Sequence, residues 1–343
     1  MKGTKEVTIY DIAKFLNISP STVSRGLKDH PHIRKETKRR ILNAAHEMGY
    51  QHNKFASSLR QRRTNTIGVV LPKMNSYFMA TAIAGIEKVT SSFGYNLIIS
   101  QSQESAKKEM SGITTLYNSR VDGLLVSLSF DTKNLEPFNI FFRKGIPLVF
   151  FDRVFECDGC ANIVIDNYKA GYEATAHLIS QGCKRIIHLG GNLLRNVYKD
   201  RLKGYKQALH DSGIEFAQDL VIIGDMSEQS GIDTARHIVK MKKRPDGVFT
   251  ANDTSAVGII CELQLYGIDI PNDIAVAGFN NEPISKVVQP NLTTVHYPAM
   301  EVGEIAASTL INKLNNSQPS SLSTVVLEHS LIIRASSLRK KAD

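Results

Sequence analysis

From Thr66 onward the chain alternates short aliphatic runs with stretches of helical periodicity, and this limits its possible folds more than any other feature. The runs IGVVLP, NLIIS, GLLVSL and PLVFFD are followed by IIHLG, LVIIGD, GVFTAN and IAVAGFN. A strand that is apolar at every position must be covered on both faces, which is the pattern of parallel sheets flanked by helices. An internal repeat groups the runs in two. Arg120-Val121-Asp122-Gly123-Leu124-Leu125-Val126 is echoed by Arg244-Pro245-Asp246-Gly247-Val248-Phe249-Thr250. Each copy leads through a helix, a Gly-Ile pair and a proline to another strand, ending at Asp152 and at Asn280. The chain therefore reads as two similar lobes, each a doubly wound parallel α/β sheet. Ligands of such sheets bind beyond the carboxyl ends of the strands, so the cleft between the lobes is the expected site.

The head of the chain obeys a different pattern. Residues 8–25, TIYDIAKFLNISPSTVSR, read as two short helices joined by a tight turn at Asn17. Thr8 caps the first, with Asp11 as a partial capping box, and Ile9, Ile12, Ala13 and Leu16 form one apolar face. Ser19-Pro20 supplies an N-cap and a first-turn proline for the second helix. Val23 and Leu27 point inward, which leaves Ser21, Thr22, Ser24 and Arg25 outside. Hydroxyls beside one arginine suit a DNA major groove, where phosphates take the hydroxyls and a base edge takes the arginine. The alternative is an ordinary surface helix pair. A third helix is expected over about 35–48, with Ile41, Leu42, Ala45 and Met48 inward and Gly49 as its stop. The basic segment 53–63 carries too little apolar content to hold a helix alone and reads as a linker that folds on binding.

Charge supports the nucleic-acid reading. Residues 1–66 hold 14 Lys and Arg against 5 Asp and Glu, while the remaining residues hold 28 of each. All of the net charge of +9 therefore sits in the head, as expected of a DNA-binding module joined to a neutral body. No apolar run approaches the ~18 residues that span a bilayer, and MKGTKEVTIYD lacks the apolar core of a signal peptide. A cytosolic protein with no membrane partner is expected. Cys157 and Cys160 form a lone CxxC without the second pair that zinc needs, and free thiols are expected at all four cysteines, including Cys183 and Cys261. Catalysis finds little support. Lys73-Met74-Asn75-Ser76-Tyr77-Phe78 after the first strand has no glycine for a dinucleotide, and neither GxxxxGK[ST] nor GxSxG occurs. His188 lies on an apolar strand, where a packed core residue is the expectation. No enzyme activity, cofactor or metal is expected.

In this order, a basic helix-turn-helix head, a short linker and a two-lobed body, the chain resembles the lactose repressor/purine repressor family of bacterial transcription regulators. The likeness runs through VTIYDIAKFLNISPSTVSRGLK, GYQHNKFASSLR, RVDGLLVS, VIDN, ANDTSAVG, IAVAGFNN, LTTVHYP and LIIRAS. It implies residues 1–50 as the DNA-binding domain, 51–65 as a hinge and 66–338 as the ligand-binding body. One lobe would take about 66–165 plus 296–320, and the other about 166–292 plus 323–336. It also implies a homodimer on a pseudopalindromic double-stranded operator. Within a DNA-facing set of Thr8, Ser19, Pro20, Ser21, Thr22, Ser24 and Arg25, the positions of Pro20, Ser21 and Arg25 face base edges. Thr22 and Ser24 suit phosphates, and Arg25 is the candidate for bidentate readout of guanine. Pro20 is equally explained as a helix starter.

The resemblance makes 53–63 a hinge helix, with Asn53 near its start, Leu59 as the wedge at the central base step and Ala56 as its small neighbour. His52 stands where proline is common, and Arg34 where a capping serine is usual. The effector set implied is Phe78, Asp152, Arg153, Arg195, Arg201, Met226, Asn252, Asp253 and Asn280, a collection suited to a hydroxyl-rich ligand. Asn280 replaces a common aspartate and Met226 a common stacking aromatic, while Arg195 and Arg201 favour an anionic sugar derivative. Plain helix-capping is the alternative for Asp253 and for Asp166-Asn167. The function implied is a sugar-responsive repressor of carbohydrate-use genes. A regulator answering to a purine or sugar acid is the nearer alternative, and a small-molecule binding protein without DNA function the more distant one. With nine residues after Arg334, a dimer is expected rather than a tetramer.

Overall fold

The computed structural model describes residues 7–50, 63–157, 160–315 and 324–340. It divides into two compact units, Met1–Thr64 and Asn65–Asp343.

The first unit is three helices around a small core: α1 (Ile9–Leu16), α2 (Pro20–Leu27) and α3 (Lys35–Glu47). Asp11 accepts from both the backbone nitrogen of Thr8 at 2.8 Å and its hydroxyl at 2.6 Å. Asn17 ends α1 in the left-handed region at φ 54°, a conformation that asparagine tolerates better than most residues. The core is Ile12, Ala13, Val23, Ile41, Ala44 and Ala45, with Ile9, Leu16, Leu27 and Met48 packed against it. Leu42, expected inward, is exposed. One helical step of about 100° separates it from Ile41, and Ala44 and Ala45 complete the inward stripe at i+3 and i+4 instead. Arg34 precedes α3 without a side-chain cap.

The second unit holds two six-stranded sheets. The first is built from β1 (Thr66–Leu71), β2 (Asn96–Gln101), β3 (Gly123–Val126), β4 (Leu148–Phe151), β5 (Ala161–Ile165) and β11 (Thr324–Leu327). The second uses β6 (Ile186–Gly190), β7 (Val221–Ile223), β8 (Gly247–Thr250), β9 (Ala275–Asn280), β10 (Thr293–His296) and β12 (Ser330–Ile332). Their orders, β11-β5-β4-β3-β1-β2 and β12-β10-β9-β8-β6-β7, correspond strand for strand. All pairings are parallel except β10 with β12. The repeated aspartates explain part of this likeness. Asp122 accepts from the Asn65 backbone ahead of β1, and Asp246 from Lys184 and Arg185 ahead of β6. Central strands are buried throughout while the edge strands β2 and β7 are partly exposed, as two-sided helical cover requires.

Helices α4 (Tyr77–Ser92), α5 (Ala106–Asn118) and α6 (Asn139–Arg143) belong to the first lobe, with α11 (Ala299–Asn315) packed on α4. Helices α7 (Asn167–Ser180), α8 (Asn196–Asp211), α9 (Glu228–Lys240) and α10 (Asp253–Leu265) belong to the second. The chain crosses between lobes three times, and the last crossing differs from expectation. Residues 324–327 pair with β5 in the first lobe, so the return to the second lies between β11 and β12. The expected free thiols at 157 and 160 are also corrected. Between β4 and β5 their Cα atoms lie 5.6 Å apart, and the two are joined as a disulfide. Cys183 and Cys261 are free. His188 is fully buried between Tyr205 and Phe249, and burial lowers its pKa to about 3.

Candidate DNA-reading helix and effector cleft

In the first unit the face expected to read DNA is the start and outer side of α2. Ser19 accepts from the Thr22 backbone at 3.1 Å, and its hydroxyl lies 2.8 Å from those of both Ser21 and Thr22. Pro20 occupies the first helical turn, where its missing N–H leaves no partner wanting. Arg25 is exposed, and its Nε donates to the Ser21 carbonyl at 3.3 Å. Its two terminal nitrogens make no hydrogen bond among the described residues, a state compatible with the expected pairing to guanine O6 and N7. Thr8 is spent chiefly on capping α1, while Ser24 is half-buried on α2. Asn53, Ala56 and Leu59 lie outside the described residues.

The second unit contains a cavity of about 560 Å³ between its two sheets. Seven of the nine expected effector residues line it: Phe78, Asp152, Arg153, Arg201, Met226, Asn252 and Asn280. Each comes from the carboxyl end of a strand or the helix that follows, as the topology demands. Arg201 sits on α8 at a point where helices touch backbone to backbone. A Cβ on Gly171 would lie 2.5 Å from the Arg201 carbonyl, and one on Gly204 would lie 2.1 Å from that of Tyr168. Its side chain is fixed on three sides. Nε donates to Asn167 at 2.9 Å, Nη1 donates to the Ala251 carbonyl at 2.8 Å, and the guanidinium lies 3.5 Å from the Phe279 ring centroid. Nη2 makes no hydrogen bond among the described residues.

Arg153 is held across the lobes. It makes two 2.9 Å bonds to Glu104, donates to the Tyr198 hydroxyl at 3.0 Å and lies over Phe130 at 4.4 Å. Asn196 adds a clamp, donating to the Asp152 carbonyl and accepting from the Val154 backbone, both at 3.0 Å. Asp152 turns the chain at φ 58°. Burial raises its pKa, with Arg153 and Arg201 opposing that effect. Asn252 is committed on both ends, capping α10 through Ser255 at 3.1 Å and donating to the Met226 carbonyl at 2.8 Å.

Arg195 and Asp253 are corrected, since neither is among the cavity's lining residues. Arg195 precedes α8 and reaches into the first lobe, where Nη2 donates to the Thr132 carbonyl. There it lies near Glu109, a buried carboxyl bonded by Ser129 and Thr132 whose pKa burial raises. Asp253 begins α10 but points into the fold. It accepts from Thr294 at 2.6 Å and the Glu282 backbone at 2.7 Å, and burial lifts its pKa to about 8. The capping role belongs to Asn252 beside it. Sequence reasoning passed over Glu104, Tyr198 and Glu282, all of which line the cavity. Only the strand-end position of the first and third could have marked them. Among the described residues no group of three or more His, Cys, Asp or Glu is placed to hold a metal ion, and no helix is long and apolar enough to cross a membrane.

A helix-turn-helix head with an exposed arginine, and a two-sheet body with a polar cavity, define a DNA-binding transcription regulator with a periplasmic-binding-protein-like body. Residues 8–53 match the model of bacterial regulatory proteins of the lacI family, and residues 175–337 match that of a periplasmic binding protein-like domain. The chain is 33% identical to the HTH-type transcriptional regulator RegA of Clostridium saccharobutylicum, over 96% of this chain and 99% of that one. It is 30% identical to catabolite control protein A of Priestia megaterium, with the same coverage of each. Among solved structures, a complex of the transcriptional regulator CelR with cellobiose superposes with a TM-score of 0.73 at 26% identity, covering 96% of this chain and all of that one. The chain belongs to the LacI family of bacterial transcription regulators. Its relatives regulate transcription and are not enzymes.

Proposed function

We propose that this protein is a cytoplasmic, homodimeric repressor of carbohydrate-use genes whose affinity for a pseudopalindromic operator is set by a neutral sugar in the cleft. The observation that carries this reading is the lining of the cavity. It combines the aromatic rings of Phe78 and Tyr198 with five carboxylates and three cations, namely Glu104, Asp152, Asp225, Glu228 and Glu282 against Lys73, Arg153 and Arg201. Aromatic faces beside fixed hydrogen-bonding groups suit a polyhydroxylated ring. The surplus of carboxylates disfavours a sugar acid or sugar phosphate, and the removal of Arg195 from the cleft withdraws the main support for one. The cellobiose bound by the CelR relative is consistent with a sugar.

In this reading residues 1–50 read DNA, 51–65 couple the two units and the body senses the ligand. Ligand that binds the closed arrangement of the lobes more tightly shifts operator affinity by about 1–3 kcal/mol, the usual size of such couplings. The test is calorimetry of the full chain with cellobiose, ribose and other neutral sugars, with gluconate, and with hypoxanthine and guanine. Saturable binding of a neutral sugar that also changes DNA affinity supports the proposal. Binding confined to the purines or to gluconate contradicts it.

A further inference from the structure

We propose that Glu282 is the carboxylate that grips the effector and selects it for hydroxyl or amino donors against acidic groups. This rests on the sugar-binding reading above and adds to it the residue that sets ligand chemistry. Three buried or nearly buried carboxylates line the cavity. Two are answered by cations: Glu104 by the paired bonds from Arg153, and Asp152 by its neighbours Arg153 and Arg201. Glu282 is the third: burial raises its pKa, and no Lys, Arg or His among the described residues forms an ion pair with it. Its oxygens receive only a 3.2 Å bond from Thr254 and a 3.3 Å bond from Asn280, both long for charge-assisted contacts. A carboxylate accepts about four hydrogen bonds, so at least two positions stay open toward the cavity. Burying a carboxylate so thinly bonded is costly unless something else supplies donors.

The chain is shaped to hold it there. Asn280 and Asn281 both adopt positive φ, 105° and 55°, turning the backbone sharply at the end of β9. The Glu282 backbone is then pinned at both ends, its nitrogen by Asp253 at 2.7 Å and its carbonyl by the Ser285 hydroxyl at 2.6 Å. Strained backbone kept in place by surrounding bonds commonly positions a ligand-contacting group. A pair of neighbouring hydroxyls, or one ammonium, would complete the coordination. A carboxylate or phosphate on the ligand brings no donor to those oxygens and meets like charge wherever Glu282 is ionised.

Matched sets test this with the full chain: glucose, glucosamine and glucuronate; galactose, galactosamine and galacturonate; cellobiose and cellobionate; ribose and ribonate. Calorimetry with the wild type should show neutral or amino members binding at least about tenfold tighter than the acid of their set, the scale of a hydrogen bond to a charged group. Glu282→Gln, isosteric but uncharged, should lose at least about tenfold on those ligands and bring the acid within about threefold. Glu282→Asp should recover part of the preference, and both variants should melt within a few degrees of the wild type. Equal affinity for acid and neutral members, or an unchanged Glu282→Gln, overturns the role of Glu282 and leaves the sugar reading standing. Failure of every member to bind the wild type overturns the sugar reading, and this proposal with it.

Discussion

The DNA-reading face and the cleft are built in opposite ways. On α2 the functional groups lie within seven residues of one another and are oriented by bonds within four residues, as Arg25 is by Ser21. In the cleft they are buried, come from both lobes and are oriented by partners far away in sequence, as Arg153 is by Glu104 and Tyr198. The first kind of site depends on a helix being folded at all. The second depends on where each side chain is directed by the packing of other elements. Arg195 and Arg201 show the difference: one lies just before α8 and the other within it, yet one enters the first lobe and the other enters the cleft.

The two sites should separate most completely when the core of the head is disrupted. Val23→Asp places an unpaired charge among five other buried side chains. Sequence-specific DNA retention should vanish and helix content fall, while calorimetry shows sugar affinity within about twofold of the wild type, well inside the tenfold that 1.4 kcal/mol represents. A parallel loss of sugar binding would mean that the cleft is not self-sufficient. Arg201→Ala should do the reverse. It removes a guanidinium anchored by Asn167, Ala251 and Phe279 and should weaken the effector by at least about 30-fold, a hot-spot loss. Operator affinity without effector should be unchanged in gel-shift titrations.

Arg25→Ala sharpens the account of the head. It should cost about 1–3 kcal/mol per half-site and relax base preference at one position, measured by competition between operator variants. The smallest effect concerns pH. Burial raises the folded pKa of Asp253 to about 8, from 3.8. The folded state therefore keeps a proton that the unfolded chain releases, and stability falls as pH rises across that interval. Melting temperature should drop between about pH 5 and 8 in the wild type and drop less in Asp253→Asn. Equal slopes would show that Asp253 ionises freely.

Legibility in the sequence follows the same division. Caps, apolar stripes and the outward set on α2 were readable because they are local, and Leu42 was misplaced only by one step around a helix. The doubly wound lobes were readable from unbroken aliphatic runs and from the Asp122 and Asp246 repeat, whose carboxylates tie down the approaches to β1 and β6. The strand at 324–327 joins the first lobe and not the expected second, since nothing in TVVL itself states which sheet edge it will join. Asp253 and Asn252 are adjacent polar residues at one helix start. Only the approach of Thr294 and Glu282 decides that the aspartate turns inward and the asparagine caps. Glu282 carries no signal beyond its place just past a strand end, because its exposure to the cavity is made by backbone turns.

The central claim is that the outer face of α2 reads base sequence while the basic charge around it supplies only general affinity. Selection of bound fragments from a random double-stranded DNA library, with the wild type and Arg25→Ala side by side, tests it most directly. The account predicts an inverted repeat enriched by the wild type, with a guanine in each half-site that the variant no longer requires. Retention of DNA by the wild type without any enriched motif, or the same motif from both proteins, would contradict it.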